Sequence, residues 1–316
     1  MTEELVGIIG GTGLGDALAE QMTGAERHDV DTPFGKPSTA ILVGKFGKKR
    51  IAFLSRHGAG HTLSPSEVPF AANIFALKQL GVHAIIGSGA VGSLQERIAP
   101  GDLVIVDQFI DKTFRRTSSF FARLGAVHCE MADPICGRVR EMLIDTANGM
   151  KDERRETRDE RQKTTHSSSI VHRPSSFTVH PKGTYVCMEG PQFSTRAESI
   201  MHKAWGSDLI GMTAMPEAKL AREAQVCYAL LALASDYDCW KPHKDGKDKQ
   251  TLLKEIIGNL TRATNNCLEL IKAVLSSEHK LVGEDCHCRK SLDLAVWTEQ
   301  SRIDEAHKEK VKVLFE

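Results

Sequence analysis

Asp236 and Asp238 stand two residues apart in Ser235-Asp236-Tyr237-Asp238, directly after residues 226–234, an almost unbroken apolar run. In extended backbone that spacing turns both side chains to one face. Paired carboxylates at a strand's exit accept hydrogen bonds from a ligand, and one whose pKa is raised by burial can hand over a proton. A solvated turn uses the same residue type, so the pair takes its meaning from its company. Ser55-Arg56-His57-Gly58 ends another apolar run: the Arg56 guanidinium offers phosphate a planar fork, and the His57 imidazole offers a second donor. His61, in Gly60-His61-Thr62, is a further candidate for the same region. Gly10-Gly11-Thr12-Gly13 makes a nest of uncovered N–H groups with the Thr12 hydroxyl beside it. Residues 87–93, GSGAVGS, form a third small-residue end that lets a sugar or phosphate approach the main chain.

A dinucleotide fingerprint is the rival for the first glycine loop. It fails by one position, because the third glycine of G-x-G-x-x-G falls at Asp16. Asp29 and Asp31 lie near the distance of a ribose-binding acid, which leaves that reading weakened but standing.

The elements that position these groups alternate along the chain. Strand patterns cover residues 5–9, 39–43, 50–54, 83–86, 103–109, 183–188 and 226–234. Helical patterns cover residues 65–80, 138–147 and 252–275, with another helix after Pro216-Glu217. Ser194 or Thr195 with Glu198 resembles a capping box and predicts one more helix start. Such alternation indicates an α/β fold, in which ligands gather beyond the carboxyl ends of strands. Arg115 and Arg116 fall in a loop where solvent exposure is the default. Residues 151–180 are charged, then Ser/Thr-rich, with almost no aliphatic side chain before Ile170, and predict a mobile surface insertion. Residues 276–316 read as a C-terminal helical tail.

The 316 residues carry a formal net charge of zero, which gives no electrostatic footprint for nucleic acid. No apolar run of about 18 residues offers a membrane span. The start, MTEELVGIIGG, is acidic and unlike a signal peptide, so a cytosolic protein is expected. Eight scattered cysteines fit packed thiols better than a disulfide framework. Cys286-His287-Cys288 is the tight cluster; along the chain no second ligand pair stands at a suitable spacing, and no metal is expected.

Seven blocks, in order between residues 8 and 241, carry a resemblance: IGGTGL (9–14), TPFGKPS (32–38), SRHG (55–58), PGDLVIVDQFID (100–111), EGPQFSTRAES (189–199), MTAMPE (212–217) and SDYDCWK (235–241). On them the chain resembles the trimeric purine nucleoside phosphorylases. The resemblance implies a single phosphorylase domain, a three-layer α/β/α sandwich with a mixed central sheet, and a homotrimer with sites near subunit interfaces. It implies phosphorolysis of 5'-methylthioadenosine to adenine and 5-methylthioribose 1-phosphate. Inorganic phosphate would be a co-substrate, with no organic cofactor or metal; the alternative is a broader adenosine, methylthioinosine or 6-oxopurine specificity. By matching blocks, Thr12, Arg56, His57, the Gly89-Ala90 main chain and Thr213 would hold phosphate, and Met212 would lie against the ribose. Phe193 and Ser194 would border base and phosphate, Asp236 would serve purine N7, and Asp238 the 6-amino group. His128 matches a histidine that neighbouring subunits lend to the 5'-pocket. Two positions depart from the pattern: Gly89 stands where close relatives carry a hydroxyl residue, and Gly211 removes a polar side chain beside Met212. Cys286-His287-Cys288 is similar to a Cys-x-Cys feature of some relatives that takes part in disulfides.

Overall fold

Nine consecutive residues, from Cys227 to Ser235, are buried on both faces of one strand, and a strand without a wet face has to be central. The computed structural model describes residues 4–11, 14–122, 124–164, 178–242, 248–283 and 285–316. Its strands are β1 (Leu5–Gly10), β2 (Thr23–His28), β3 (Ile41–Phe46), β4 (Lys49–Ser55), β5 (Ala84–Ser93), β6 (Leu103–Ile105), β7 (Gln108–Lys112), β8 (Val179–His180), β9 (Thr184–Met188), β10 (Leu209–Gly211) and β11 (Cys227–Tyr237). The α-helices are α1 (Leu14–Ala19), α2 (Phe70–Gln79), α3 (Gly137–Thr164), α4 (Arg196–Ala204), α5 (Glu217–Glu223), α6 (Lys249–Ser276) and α7 (Glu305–Lys310).

The strands form one mixed sheet in the order β2-β3-β4-β1-β5-β10-β9-β7, with β11 on the other edge of β5 and leading to β6 and β8. Helices pack in two groups, α1 and α3 against α6 and α2 against α5, and both groups reach β11. This is the α/β arrangement expected from the alternating patterns. None of the described helices is long and apolar enough to cross a membrane.

The sheet divides at β5, and that division makes the site. On one edge, β5 pairs with β1 in parallel from Ala84 to Gly87. On the same side β10 takes over, antiparallel, at Gly92 and Ser93. Between them residues 88–91 have no strand partner on that edge, while β11 accompanies β5 throughout on the other. A slot floored by unpaired main chain therefore opens in the middle of the sheet.

Four expectations are corrected. Residues 87–93 are not a turn but the second half of β5. Their glycines answer to neighbours: a side chain at Gly87 would meet the Tyr228 hydroxyl at 2.8 Å and the Glu217 carboxylate at 3.0 Å. The run 103–109 is two strands, β6 antiparallel to β11 and β7 parallel to β9. Helix α3 does not stop near Ala147 but continues through Thr164, across the first part of the expected loop. The lack of aliphatic residues there argues against burial, not against helix, since Lys, Glu and Arg are good helix formers. At the other end of the expected loop Val179–His180 is β8, parallel to β6, and residues 165–177 lie outside the described residues. The tail after α6 is less regular than a helical tail, being short 3-10 turns and α7, with Leu281, Cys288, Leu292 and Leu314 buried against the body.

Candidate active site

Arg56 follows β4 and enters the slot from the β1 side, where it is 1% exposed. Its fork is not open to a ligand as the sequence suggested. Nε and Nη2 donate to the two Glu217 carboxylate oxygens at 2.7 and 2.8 Å, and Nη1 donates to Ser88 O at 2.7 Å. Three of five guanidinium N–H groups are thus engaged, one of them by the first carbonyl of the unpaired stretch of β5. Tyr228 donates a further bond to Glu217 Oε1 at 2.8 Å. Burial acts to lower the Arg56 pKa, but the Glu217 charge outweighs it and keeps the guanidinium charged. Breaking such a buried pair strands a charge in the interior, at about 3–5 kcal/mol. Glu217→Ala is expected to lower unfolding stability by that order in a urea titration, and a loss like that of an ordinary surface change would show that Arg56 finds another counter-ion.

His57 takes a different part from the second donor expected. Its Nδ1–H donates to Leu63 O at 2.9 Å, and its ring stacks on His61 with centroids 4.3 Å apart. Burial lowers its pKa to about 4, against the Leu63 bond, which acts to raise it, and with Arg56 and His61 adding like-charge repulsion. Near neutral pH the imidazole is uncharged with Nδ1–H committed, so Nε2 presents a lone pair. That nitrogen is therefore set to accept a hydrogen bond rather than to donate one. A histidine whose folded pKa lies below its unfolded value of about 6.5 stabilises the fold above that pH. The contribution is lost as pH falls through about 4. His57→Gln is expected to flatten the loss of stability between pH 6.5 and 4, as read by urea unfolding at several pH values; an unchanged acid limb would mean that other groups govern it.

Across the slot stands Thr213, between β10 and α5. A side chain at Gly89 would come within 3.0 Å of the Thr213 hydroxyl, so the glycine and the threonine face each other at contact distance. Thr213 N–H donates to the Tyr185 hydroxyl at 3.3 Å. That tyrosine also accounts for Gly211, because a Cβ there would sit 2.1 Å from the Tyr185 hydroxyl oxygen and 2.6 Å from its ring. The volume of the missing polar side chain is filled by Tyr185.

Met212 borders the same wall, its sulfur so close to Gly190 that a Cβ at Gly190 would lie 2.6 Å from it. Arg116 holds this segment in place. Its Nη1 donates to the carbonyls of Met212 and Met215 at 2.7 and 2.5 Å. Its Nη2 donates to Glu189 O at 2.7 Å, and Nε to Glu189 Oε1 at 3.1 Å. Far from being exposed, the Arg116 side chain is 2% accessible. Burial acts to raise the Glu189 pKa, but bonds from the Ser66 hydroxyl, the Phe114 and Arg115 N–H groups and Arg116 outweigh it and hold the carboxyl at about 2. Neither Arg116 nor Glu217 stands out in the sequence as a site residue, because each acts through a partner distant along the chain.

The acidic pair sits at the far rim. Asp236 pairs with Gly92 and Tyr237 with Ser93, one register step out of line with Ala234 and Val91, so Ser235 is the extra residue of a bulge. The bulge re-aims the strand end, and Asp238 follows just beyond it. Ser235 Oγ lies 2.6 Å from Asp236 Oδ1 and 3.2 Å from Val91 O. Asp238 N–H donates to Ser93 O at 3.0 Å, and a Cβ at Gly92 would lie 3.1 Å from Asp238 Cβ. Asp238 Oδ2 is buried and has no hydrogen-bond partner among the described residues. Ser194, ahead of the capping box of Thr195 and Glu198, places its hydroxyl 3.6 Å from Met188 Sδ, and its carbonyl accepts from Cys239 Sγ at 3.4 Å.

Arg56, His57, Gly89, Ala90, Thr213 and Met212 thus line or brace one slot on β5, with Asp236 and Asp238 at and just past the end of the neighbouring strand β11. Phe193 is not drawn in, its ring being 85% exposed. His128 packs edge-on against Trp297 at 5.0 Å and bonds Ala295 O through its N–H, so its described contacts are with the tail. Thr12 lies outside the described residues.

An anion slot beside which the neighbouring strand β11 leads to a carboxylate oxygen awaiting a donor suits chemistry between an anion and a nitrogenous base. The chain belongs to the phosphorylase superfamily, whose family model matches residues 5–276. It is similar, at 40% identity over 315 residues, to S-methyl-5'-thioadenosine phosphorylase of Synechocystis sp., covering 100% of this chain and 88% of that one. Among solved structures, a methylthioadenosine phosphorylase from an antarctic soil metagenomic library superposes with a TM-score of 0.81, at 39% identity over 99% of both chains. Methylthioadenosine phosphorylase from Schistosoma mansoni, in complex with adenine, gives a TM-score of 0.72 at 35% identity over 98% of both chains.

Proposed function

We propose that this chain catalyses the phosphorolysis of 5'-methylthioadenosine, releasing adenine and 5-methylthioribose 1-phosphate. The observation that carries the substrate is Asp238 Oδ2, a buried acceptor without a protein partner at the rim of the slot. Leaving such an atom unmet costs about 1–3 kcal/mol, and the 6-amino group of adenine supplies the N–H that meets it. The relatives' names point to the same nucleoside.

In this reading phosphate lies against the Gly89-Ala90 main chain and the Thr213 hydroxyl, with its P–O–H proton on His57 Nε2. Arg56, fixed by Glu217, supplies positive charge from behind β5. A phosphate oxygen forms the bond to the anomeric carbon as the glycosidic bond breaks. The bonding pair withdraws into the purine, and Asp236 delivers the proton that N7 gains. Positive charge developing on the sugar is stabilised by the adjacent phosphate. The reaction uses phosphate as co-substrate and no organic cofactor.

A homotrimer completes the proposal. Trp297 and Leu294, beside His128, are 73% and 91% exposed, and Phe114 and Phe193 are 79% and 85% exposed. Large apolar side chains left exposed beside His128 suit a place for another chain, and a neighbour's His128 segment is the part expected to close the 5'-pocket.

The test is adenine release from 5'-methylthioadenosine, run beside adenosine and methylthioinosine, each with and without phosphate. Phosphate-dependent release favouring the methylthio-adenine substrate is expected. Preference for methylthioinosine would overturn the role of Asp238, and release without phosphate would make water the nucleophile.

A further inference from the structure

Four of the eight cysteines, separated in sequence, converge at the end of β11 away from the carboxylates. The sulfurs of Cys136, Cys227, Cys286 and Cys288 all lie within 4.8 Å of one another. Cys136 immediately precedes α3, Cys227 opens β11, and Cys286 and Cys288 sit at the first turn of the 3-10 segment His287–Lys290. Cys136, Cys227 and Cys288 are at most 1% exposed. The second ligand pair that could not be found along the chain is thus assembled by the fold from two strand and helix ends.

We propose that these four cysteines form a structural metal site of the tetrathiolate type, taking Zn²⁺, that fastens the C-terminal tail to the starts of β11 and α3. Four sulfurs about 2.3 Å from a central zinc stand about 3.8 Å from one another in a tetrahedron. The separations of Cys286 Sγ from Cys136 Sγ and Cys227 Sγ, 3.6 and 3.4 Å, fall close to that edge. A disulfide would need about 2.0 Å. Four soft sulfur ligands in a tetrahedral set select zinc or iron over hard cations. With every ligand drawn from the protein, no position stays open for a substrate, which separates a structural centre from a catalytic one.

Surrounding groups suit the charge. Zn²⁺ displaces four thiol protons, and the resulting centre carries two net negative charges. The Arg222 charge acts on Cys288 in the sense that favours a thiolate. Cys136 N–H is held by Tyr228 O at 2.9 Å, so two of the ligand-bearing segments are already registered. The centre would lie nine residues along β11 from Asp236, about 30 Å at strand rise, and so acts on folding rather than on the chemistry at the slot.

The experiment uses the full chain, purified without a metal-affinity tag, with zinc measured by mass spectrometry and by release into a chromogenic chelator during organomercurial titration. About one zinc per chain is expected. Replacement by Co²⁺ should give the sulfur-to-metal charge-transfer and intense visible bands of a tetrahedral tetrathiolate. Cys288→Ser should lose the metal and melt at a lower temperature, while Cys267→Ser, buried in α6 outside the cluster, should keep it. A metal-free chain that binds neither Zn²⁺ nor Co²⁺ after reduction overturns the proposal, and so does an intact mass showing these cysteines paired as disulfides in the native protein. If Cys288→Ser does not fold, the Co²⁺ spectrum of the unmodified chain decides.

Discussion

Replacing Asp236 with asparagine is expected to lower kcat for adenine release by about 10²- to 10⁴-fold, the usual worth of a positioned general acid. KM should move far less. Asparagine keeps the shape of the side chain and can keep the short contact with Ser235 Oγ at the bulge. Under the proposed function, what it removes is the proton delivered to N7 as the glycosidic electrons arrive, an interaction made only in the transition state. A nucleoside already methylated at N7 carries that positive charge from the start, so the variant should cleave it with little loss. Equal damage to kcat and KM, or an undiminished defect on the N7-methylated substrate, would remove Asp236 from the acid role.

Asp238→Asn should act on the choice of base. Under the proposed function the Oδ2 that has no partner among the described residues accepts from a 6-amino group, whereas a 6-oxo purine would set its oxygen against that carboxylate. Buried groups left in like-polarity contact discriminate strongly, by about 10⁴-fold where a site is built around one hydrogen bond. An amide can turn its N–H to the 6-oxo group. The ratio of kcat/KM for 5'-methylthioadenosine over methylthioinosine is therefore expected to fall by about 10²-fold or more. A ratio that stays put would place position 6 of the base elsewhere.

Local pattern carried the acidic pair, the capping box of Thr195 and the buried strand that became β11, because each is decided by residues within a few positions of one another. It failed where a charge is answered from far away. Arg56 read as an open fork, since nothing nearby announces Glu217, 161 positions later. Arg116 read as a surface residue for the same reason, its partner Glu189 lying 73 positions on. The glycines of β5 signalled a turn because glycine is the residue of turns; in the fold they make room for Tyr228, Glu217, Thr213 and Asp238. Likewise Cys-x-Cys displays half of a four-sulfur cluster, and Cys136 and Cys227 are brought in only by the packing of α3 and β11.

Tyr185 and Gly211 hold a further consequence, for descent rather than for catalysis. The tyrosine occupies the volume that any side chain at 211 would need, and its hydroxyl steadies the backbone of Thr213. Neither position can drift alone: a side chain at 211 demands a smaller residue at 185, and shrinking 185 first leaves a hole beside the anion slot. The two sites are one heritable unit, and a lineage crossing between the glycine form and a polar form must change both together or pass through a weakened ancestor.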